Sequence, residues 1–522
     1  MEWGLSSIDN GQAHSAPGTG ADSPRVTVST GVRGLDEVID GGLTAHRSYL
    51  VRGGPGSGKT TLALQFLLAG VAAGESVLYV SLTSPEAEVR ADAASTGLAL
   101  DAVTVLDLSP ASASLADGDV DELLIADDAR RPSMVHSILT TAAEQRPRRV
   151  VVDSMTHLRE RAEDAEEFRR HTVALIRALT GLPATVMFTS ESGPRNPDDD
   201  LQFLADGVIS FEANGRRPQL TVSKLRGTAF RRGAHSMRIA SGGLQVFPRL
   251  EPEWHAPPAG HDMSAADDGV GRNPFEQLAF GVPELDEMLH GGLARATVTL
   301  LSGPSGVGKS TLGGQFVKEA AGRGQRAVAL LLDESAATFL HRCESLGMPV
   351  RAMIERGTLV LRPVESSAYS PDEVAEMVRV EVEAHHASVV MLDSISSFRM
   401  TVSAADELST HLHALSQYLR RWGVTGLLID EVPALTGAFQ ISEHQVSYLA
   451  DTVVFLRYVE LRGGLRKTVG VLKKRTGQFD SDLRELSFTP YGIEVGEPLR
   501  HLRGILSGIP TAASPSADQE AN

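Results

Sequence analysis

Two glycine-rich stretches with the residue types of a phosphate-binding loop lie 250 residues apart in this chain of 522 residues. The first reads GGPGSGKTT from Gly53 and the second reads GPSGVGKST from Gly303. Glycines let the backbone curl so that several N–H groups face one phosphate chain at the positive end of the following helix. The lysine reaches the terminal phosphates, and the Ser or Thr after it ligates Mg²⁺. Because each stretch follows an apolar run and precedes a helix-like segment, both are predicted to be P-loops that bind a nucleotide.

The predicted nucleotide-binding residues are those of the two loops, and Lys309 is in addition a predicted catalytic residue. The first loop comprises Gly53, Gly54, Pro55, Gly56, Ser57, Gly58, Lys59, Thr60 and Thr61, and the second comprises Gly303, Pro304, Ser305, Gly306, Val307, Gly308, Lys309, Ser310 and Thr311.

The strands that must position these loops are visible as short apolar runs separated by helical stretches. In the first half they are SVLYVSL, RRVVVD, ATVMFTS and GVISFEA, and in the second AVALLLDE, SVVMLD, TGLLIDE and TVVFLRY. Continuous apolar strands alternating with helices predict an α/β fold, with a mostly parallel sheet covered on both faces in each half. Asp153 and Asp393 end two of these strands, where a carboxylate lies beside the P-loop. With Thr60 and Ser310 they are the predicted Mg²⁺ ligands.

The two halves are copies of one design. TGVRGLDEVIDGGL begins at Thr30, FGVPELDEMLHGGL begins at Phe280, and the spacing between the copies matches that of the loops. Such a repeat predicts two homologous domains. The predicted organisation, by composition and repeat, is as follows: a disordered tail at 1–24, a first ATPase-type domain at 25–250, a flexible linker at 251–273, a second ATPase-type domain at 274–508 and a disordered tail at 509–522.

Composition limits the class of protein. The 42% hydrophobic and 22% charged residues are ordinary for a globular protein. No apolar run approaches membrane-spanning length, and the N-terminus lacks the basic start and apolar core of a signal peptide. The lone Cys343 cannot form an internal disulfide. We therefore expect a soluble cytoplasmic protein. The net charge of −17 argues against a surface that grips nucleic acid.

In combination, the paired G-x-x-x-L-D-E-x-x-x-G-G-L openings, the tandem P-loops and the VVVDS and VVMLDS strands resemble the KaiC family, which are double-lobed RecA-like ATPases of the circadian clock. The resemblance extends over about residues 28–508. It implies two tandem RecA-like domains and a homo-hexamer of two stacked rings with ATP between neighbouring subunits. It further implies ATP hydrolysis with Mg²⁺, self-phosphorylation and a regulatory protein partner.

The two halves differ in the acids that hydrolysis requires. A carboxylate near the terminal phosphate has to orient or deprotonate the attacking water. In KaiC-like proteins paired glutamates end the strand after the P-loop helix, and this chain has Asp333 and Glu334 there in its second half. In the first half, YVSLTSPE places Leu82 and Thr83 at the matching positions. The second half is therefore predicted to be the main catalytic one.

Two nearby acidic segments offer alternatives. Glu86 follows the first-half strand, but Ser84-Pro85-Glu86 is typical of a helix start with Ser84 as its cap. In the second half, Asp430 and Glu431 end another strand and also face the predicted nucleotide side.

The resemblance also assigns residues that act on a neighbouring subunit's nucleotide and one that receives phosphate. The first group is Lys224, Arg226 and Thr228 in SKLRGT, with Lys473 and Arg475 in LKKRTG as a looser match. The family's Ser-Thr phosphorylation pair corresponds to Ser447 and Tyr448, so only the serine of the pair is kept and Ser447 is the predicted phosphorylation site. An equal alternative is that Ser447 is a polar loop residue without chemistry.

Two other functions fit parts of the pattern. A DNA-directed motor or recombinase of the RecA class would share the P-loops, although the acidic composition and the lack of a clear basic, glycine-rich loop disfavour it. A non-catalytic scaffold gated by nucleotide would bind ATP without turnover. The interpretation favoured by the acid pair is a KaiC-like ATPase that signals to a protein partner.

Overall fold

The computed structural model describes residues 26–110, 134–193, 198–214, 217–251, 255, 257, 276–402, 407–432, 446–461, 463–500, 502–503 and 511–512. The predicted N-terminal tail at 1–24 and most of the predicted linker lie outside the described residues. No helix in the described part of the chain is long and apolar enough to cross a membrane.

The first lobe is built on a nine-stranded sheet. Its strand order is β11-β10-β9-β8-β3-β7-β6-β4-β5. The six strands from β8 to β5 run parallel, and β9 to β11 continue the sheet antiparallel from β8. The strands of the sheet are β3 Ser48–Gly53, β4 Val77–Ser81, β5 Thr104–Asp107, β6 Arg149–Asp153, β7 Thr185–Glu191, β8 Gly207–Asn214, β9 Arg217–Leu225, β10 Ala234–Ala240 and β11 Gly243–Phe247. Two short strands, β1 Thr27–Val28 and β2 Leu43–Thr44, pair with each other outside it.

The second lobe repeats this sheet strand for strand. Its order is β16-β15-β17-β18-β14-β19-β20-β21-β22, again with six parallel strands and an antiparallel extension. The strands of the sheet are β14 Val298–Gly303, β15 Ala327–Leu331, β16 Leu359–Pro363, β17 Val389–Asp393, β18 Thr425–Glu431, β19 Thr452–Leu461, β20 Gly464–Lys474, β21 Arg484–Thr489 and β22 Gly492–Pro498. Outside it, β12 Gln277–Leu278 pairs with β13 Leu293–Ala294, and β23 Leu502–Arg503 pairs with β24 Thr511–Ala512. The predicted fold class, two tandem mostly parallel sheets flanked by helices, is confirmed.

Helices cover both sheets. The helices are α1 Arg33–Val38, α2 Lys59–Ala72, α3 Glu86–Ser95, α4 Met134–Gln145, α5 Met155–Arg161, α6 Ala165–Gly181, α7 Asp199–Leu204, α8 Pro283–Met288, α9 Lys309–Gly322, α10 Ala336–Ser345, α11 Val350–Glu355, α12 Pro371–Arg379, α13 Ile395–Phe398 and α14 Leu408–Arg421. A π-helical turn, Val380–Ala384, extends α12, and 3₁₀ turns span Arg399–Thr401 and Val446–Tyr448.

Each parallel sheet is buried on both faces, which explains its continuous apolar strands. In β3, Tyr49 and Val51 belong to one apolar cluster and Leu50 to the cluster on the opposite face. The equivalent strand β14 of the second lobe is also buried on both faces, with Leu300 in one cluster and Leu301 in the other. The helices therefore pack against two independent apolar layers in each lobe.

The repeated opening motif folds in both lobes into a short helix, and an aspartate of that helix holds the residues before it. The Asp36 carboxylate accepts hydrogen bonds from the backbone N–H and the hydroxyl of Thr30, at 2.8 and 2.7 Å. Asp286 accepts from the backbone of Phe280 and Gly281 in the second lobe. Gly31 has a positive φ of 80° and lies so close to the Gln65 carbonyl that a side chain would not fit. The motif thus closes each lobe onto its P-loop helix.

Charged and polar side chains join the two lobes. The Arg217 guanidinium donates to backbone carbonyls of the second lobe, including that of Thr401 at 2.8 Å. The Ser236 hydroxyl donates to Asp372 at the start of α12, at 2.7 Å. Arg379 at the end of that helix pairs with Glu37 of α1, at 3.0 Å. The second lobe is therefore held against the first along β9, β10 and α12.

Two described segments differ from the predicted flexible linker and tail. His255, inside the predicted linker at 251–273, is buried, and its ring contacts Glu37 at 3.0 Å and Arg231 at 2.8 Å. Within the predicted disordered tail at 509–522, Thr511–Ala512 pairs with β23. Composition did not indicate these contacts, because they depend on partners that only the folded lobes supply.

Candidate nucleotide-binding sites

Both P-loops connect the central strand of a sheet to the start of a buried helix. The loop after β3 ends at Gly58, which has a φ of 100° and precedes α2, and the loop after β14 ends at Gly308, with a φ of 113°, before α9. This left-handed conformation favours glycine and turns the following backbone N–H groups toward one point. Each loop therefore presents the donors and the helix end that a phosphate chain requires.

The lysine of each loop folds back onto the loop itself. Lys59 donates from Nζ to the carbonyls of Gly53 and Gly54, at 3.0 and 2.8 Å, and Lys309 donates to that of Pro304 at 2.9 Å. Burial lowers the pKa of both lysines, while neighbouring carboxylates oppose this shift. Both ammonium groups thus lie inside their loops, where they can reach a bound phosphate with a small side-chain movement.

The strand-end aspartate of the first lobe is fully hydrogen-bonded by hydroxyl groups. Oδ2 of Asp153 accepts from Thr60 at 2.7 Å and from the buried Tyr79 hydroxyl at 2.8 Å. Its Oδ1 accepts from Thr189 on the neighbouring strand β7. The structure thus brings together Thr60 and Asp153, as the sequence predicts, and adds two donors that the sequence analysis missed.

The equivalent aspartate of the second lobe has fewer hydrogen-bond donors around it. Asp393 is hydrogen-bonded to Ser310, but Ala329 and Ile429 occupy the positions of Tyr79 and Thr189. Burial raises the pKa of Asp393 to about 6, and the charge of Glu334 contributes to the rise.

Among the residues that the structure describes, Oδ2 of Asp393 is buried and has no hydrogen-bond partner. A buried carboxylate oxygen beside a serine hydroxyl suits Mg²⁺ or one of its waters. The described ranges contain no group of three or more His, Cys, Asp or Glu side chains arranged as a metal cage. This agrees with Mg²⁺ chemistry, since that ion is usually held by one or two carboxylates together with substrate phosphates. The residues present therefore fit the ion.

The predicted catalytic acids of the second lobe lie at the end of β15, beside Asp393. Asp333 accepts from the Ser394 hydroxyl at 2.6 Å and from that of Ser397. Glu334 forms a bidentate ion pair with Arg342 of α10, at 2.5 and 2.6 Å. Sequence reasoning missed Arg342, whose role is visible only once α10 folds back toward the strand end. Both carboxylates are thus held in fixed orientations by neighbouring donors.

The matching positions of the first lobe differ from the sequence-based assignment by one residue. Leu82 donates its backbone N–H to the Asp153 carbonyl, and Leu332 makes the same bond to the Asp393 carbonyl. Leu82 therefore corresponds to Leu332, and the counterparts of the two acids are Thr83 and Ser84 rather than Leu82 and Thr83. The conclusion that the first lobe lacks the acid pair is unchanged.

Glu86 has a structural role in the first lobe, although the predicted cap is wrong. The Ser84 side chain makes no capping bond, and Pro85 takes the N-cap position of α3. Asp107 of β5 instead accepts from the Glu86 backbone N–H at 2.9 Å, while the Glu86 carboxylate pairs with Arg90 one turn along the helix. The helix start is therefore capped from a neighbouring strand, which local sequence could not indicate.

A glutamate also ends the strand next to each P-loop strand. Glu431 of β18 lies 3.8 Å from the Lys309 ammonium, and Asp430 beside it is fully buried. In the first lobe Glu191 of β7 occupies the equivalent position and its charge acts on Lys59. Each lobe thus has a glutamate at this position, Glu191 in the first and Glu431 in the second, so this position does not distinguish the lobes. The acid pair Asp333 and Glu334 does, because only the second lobe has it.

Comparison with known proteins agrees with this geometry. The family model described as "ATPase: KaiC" matches residues 28–251 and again residues 278–500. The chain belongs to the KaiC ATPase family. The circadian clock oscillator protein KaiC of Picosynechococcus sp. is 26% identical over 499 residues, which cover 93% of this chain and 92% of that protein. The protein of the same name from Synechococcus elongatus is 27% identical over 497 residues, covering 92% and 91%.

The segments that the KaiC resemblance assigns to a neighbouring subunit's nucleotide are equivalent in the two lobes. Lys224 and Lys473 occupy the same place in β9 and β20, each directly after a bulge in its own strand. Lys224 donates to the carbonyls of Gln202 and Ala205, and Lys473 to those of Ser447 and Ala450. The match of the second segment is therefore closer than the sequence alone suggests. Both lysines stabilise a helical turn of their own lobe.

The arginines two residues further along are more accessible. Arg226 is 56% exposed and lies 3.5 Å from Asp206, while Arg475 is 53% exposed and lies 3.6 Å from Asp451. Thr228 is in hydrogen-bond contact with Thr44 at 3.2 Å. Of these side chains, the two arginines are thus the ones most accessible for contact with a neighbouring subunit.

The predicted phosphorylation site, Ser447, lies in the 3₁₀ turn before β19 and is half-buried. Its backbone carbonyl accepts a hydrogen bond from Lys473 at 3.3 Å. Tyr448, which replaces the family's threonine, is 55% exposed. Ser447 precedes β19, which runs parallel to β14, whereas the P-loop follows β14. Ser447 therefore lies next to Lys473 and at the opposite end of the strands from the P-loop of its own lobe.

Proposed function

We propose that this chain is an ATP-hydrolysing signalling protein in which the second lobe performs most of the turnover. The observation that carries the proposal is the asymmetry at the end of the strand after each P-loop helix. Asp333 and Glu334 stand beside Asp393 and Lys309 in the second lobe, whereas Thr83 and Ser84 occupy this place in the first. Hydroxyl side chains cannot deprotonate water at neutral pH, so the first lobe lacks the group that hydrolysis needs.

In the proposed reaction, the second P-loop and Lys309 bind the phosphates while the acid pair acts on water. Mg²⁺, held by Ser310 and Asp393, would neutralise charge on the phosphate oxygens. Glu334, oriented by Arg342, accepts a hydrogen bond from the attacking water and directs its lone pair toward the terminal phosphate. Asp333, held by two serine hydroxyls, supplies a second carboxylate in a fixed position next to Glu334.

The first lobe, in this proposal, binds ATP through residues 53–61, with Mg²⁺ at Thr60 and Asp153, and uses it for assembly. Arg226 and Arg475 project from the surface next to a strand end, where they can reach a nucleotide on an adjacent subunit. Positive charges there would neutralise phosphate charge across an interface. We therefore propose a homo-hexamer of two stacked rings, with domains at about 25–250 and 274–508, which signals to a protein partner.

Self-phosphorylation at Ser447 is the finer part of the proposal. A serine hydroxyl next to Lys473 and Arg475 would face a neighbouring subunit's second-lobe nucleotide if these residues act in trans. Tyr448 in place of threonine leaves one aliphatic hydroxyl at this turn, so the proposed phosphorylation is single-site.

Glu334→Gln tests the proposed role of the acid pair. The substitution keeps the size and the hydrogen-bonding capacity of the side chain but removes its charge. We expect ATP to stay bound, while single-turnover cleavage falls by about 10²–10⁴-fold. Phosphate at Ser447, measured by mass spectrometry of the 440–460 peptide, should fall with it.

Glu344→Gln is the matched control for this experiment, because Glu344 lies on the exposed side of α10 in an ion pair with Arg351. It should cleave ATP at the wild-type rate. Wild-type cleavage by Glu334→Gln would move the catalytic role to another carboxylate, with Glu431 the next to test.

A further inference from the structure

The second P-loop has an aromatic and cationic wall on one side. Three residues form it: Tyr458, Lys467 and Phe488, which we call the platform. The Phe488 ring lies so close to Gly308 that a side chain at that position would collide with it. The Lys467 ammonium lies 4.8 Å from the centre of this ring. The Tyr458 hydroxyl is 3.2 Å from where a Cβ on Gly306 would be. The platform therefore borders the loop at both of its left-handed glycines.

The three residues lie on consecutive strands. Tyr458 of β19 and Lys467 of β20 are direct cross-strand partners, and Phe488 of β21 is two residues from Leu486, the partner of Lys467 on the next strand. The platform is thus one continuous surface of the antiparallel extension, at the edge that meets the P-loop.

The strand order indicates which part of a nucleotide would meet this surface. The P-loop follows β14, and the carboxylates that serve the terminal phosphate end β15, β17 and β18, all on one side of β14. The strands β19 to β22 lie on the other side. A triphosphate chain with its terminal phosphate toward the carboxylates must leave the loop toward β19–β22, so the ribose and base are directed to the platform.

The first lobe has no such surface at the equivalent positions. The cross-strand pair Ala213–Pro218 occupies the place of Tyr458 and Lys467. Ile239 of β10 occupies the place of Phe488, and its Cδ1 lies 2.8 Å from where a Cβ on Gly58 would be. The loop is bordered in both lobes, but the border is aromatic and cationic only in the second.

We infer that the platform recognises the base of a purine nucleoside triphosphate and makes the second lobe the base-selective one. An aromatic ring stacks on a base through its π face, and the neighbouring Lys467 ammonium can make a cation–π contact with the same base. A purine has a larger face than a pyrimidine, and inorganic triphosphate has none. Ile239 and Pro218, which occupy the equivalent places in the first lobe, offer apolar contact without a preference for a purine. This inference rests on the proposed function, since it assumes that the second lobe binds a nucleoside triphosphate.

Binding of ATP and of inorganic tripolyphosphate, measured by calorimetry on the full chain with Mg²⁺, tests the inference. Lys59→Ala disables the first loop, so that the second lobe reports alone. In this background we expect Phe488→Leu to weaken ATP binding about tenfold, since stacking of one base contributes about that much. The affinity for tripolyphosphate should stay within about twofold. The leucine keeps the apolar contact with the core.

Tyr491→Leu is the matched control, because Tyr491 is an aromatic residue of the same hairpin that is 95% exposed. It should change neither affinity. The inference is overturned if Phe488→Leu leaves ATP binding unchanged, or weakens both ligands equally, which would mean that Phe488 only shapes the loop.

Phe488→Trp gives an independent readout that does not rely on a loss of affinity. The emission of the introduced indole should change when ATP is added and should not change with tripolyphosphate, and an indole introduced by Tyr491→Trp should respond to neither. An equal response to both ligands would contradict the inference.

If the Lys59→Ala chain binds neither ligand, the proposed function is wrong as well. If Phe488→Leu weakens ATP binding as expected but the chain cleaves no ATP, only the proposed hydrolysis is wrong.

Discussion

At the scale of single residues, the two strand-end aspartates show how much chemistry depends on neighbours. The positions of Asp153 and Asp393 beside Thr60 and Ser310 could be predicted, because a carboxylate at the end of such a strand lies next to the P-loop. Their role as Mg²⁺ ligands stays a prediction. Their environments could not be predicted. Tyr79 and Thr189 reach Asp153 from β4 and β7, and nothing in the local sequence indicates which strands will flank β6.

Replacing Tyr79 with Phe should destabilise the first lobe more than an equivalent change elsewhere. The substitution removes a hydrogen bond to a buried carboxylate, which contributes about 1.5–3 kcal/mol to the free energy of unfolding. Tyr49→Phe is the matched control, since the buried Tyr49 donates to the neutral Thr44 carbonyl at the same distance of 2.8 Å. It should cost about 0.5–1.5 kcal/mol. Urea denaturation of both variants measures this difference. Equal losses would mean that the Tyr79–Asp153 bond contributes no more than a neutral one.

At the scale of elements, the strands were predictable and their connections were not. Every apolar run that was predicted as a strand is one, because burial on both faces leaves a clear compositional signal. The connection after β4 was misaligned by one residue, since Leu82, Thr83 and Ser84 give no periodic signal that fixes where the strand ends. The equivalence of the segments after β9 and β20 was likewise visible only from strand register.

Arg226→Ala should weaken assembly driven by ATP. Arg226 follows β9 and is more than half exposed, so we expect its contribution to be made between subunits rather than within one. Ligand bound at an interface stabilises the assembled form by mass action. Sedimentation with and without ATP should therefore show a larger shift for the wild type than for the variant.

Arg232→Ala, at an exposed arginine of the loop between β9 and β10, serves as the control and should assemble like the wild type. A wild-type chain that sediments as a monomer in both conditions would rule out the ring proposal.

At the scale of the whole molecule, the duplication was predictable and the junction between its copies was not. The constant spacing of 250 residues indicates two lobes of one design. The lobes meet through contacts between residues far apart in the sequence, such as Glu37 with Arg379. The equivalent of Glu37 in the second lobe, Glu287, is 72% exposed and lies 3.5 Å from Arg484. Identical residues in identical motifs thus acquire different roles from their position in the molecule.

Glu37→Gln should lose stability in a way that depends on pH. Burial alone would raise the pKa of Glu37, but the hydrogen bond from His255 and the charges of Arg379 and Arg231 lower it to about 2. A carboxyl whose pKa is lower in the folded state stabilises it above its unfolded pKa, and loses this effect as the pH falls toward the folded value. We therefore expect a cost of about 3 kcal/mol at neutral pH that shrinks between about pH 4.5 and pH 2.

The measurement is the free energy of unfolding of wild type and variant across this pH range. Glu376 and Glu383, which also pair with Arg379, are unchanged in both chains. Glu287→Gln is the control and should cost less than about 0.5 kcal/mol at every pH. A cost for Glu37→Gln that does not vary with pH would mean that its charge does not hold the junction.

The central claim, that one lobe hydrolyses ATP and the other chiefly binds it, is tested most directly by steady-state ATP turnover of two matched variants. Lys59→Ala and Lys309→Ala remove the same side chain from equivalent loops, so that each serves as the other's control. We expect Lys309→Ala to abolish most of the turnover, and Lys59→Ala to retain it per assembled subunit while weakening assembly. Loss of most turnover in Lys59→Ala with an intact oligomer, together with normal turnover in Lys309→Ala, would contradict the account.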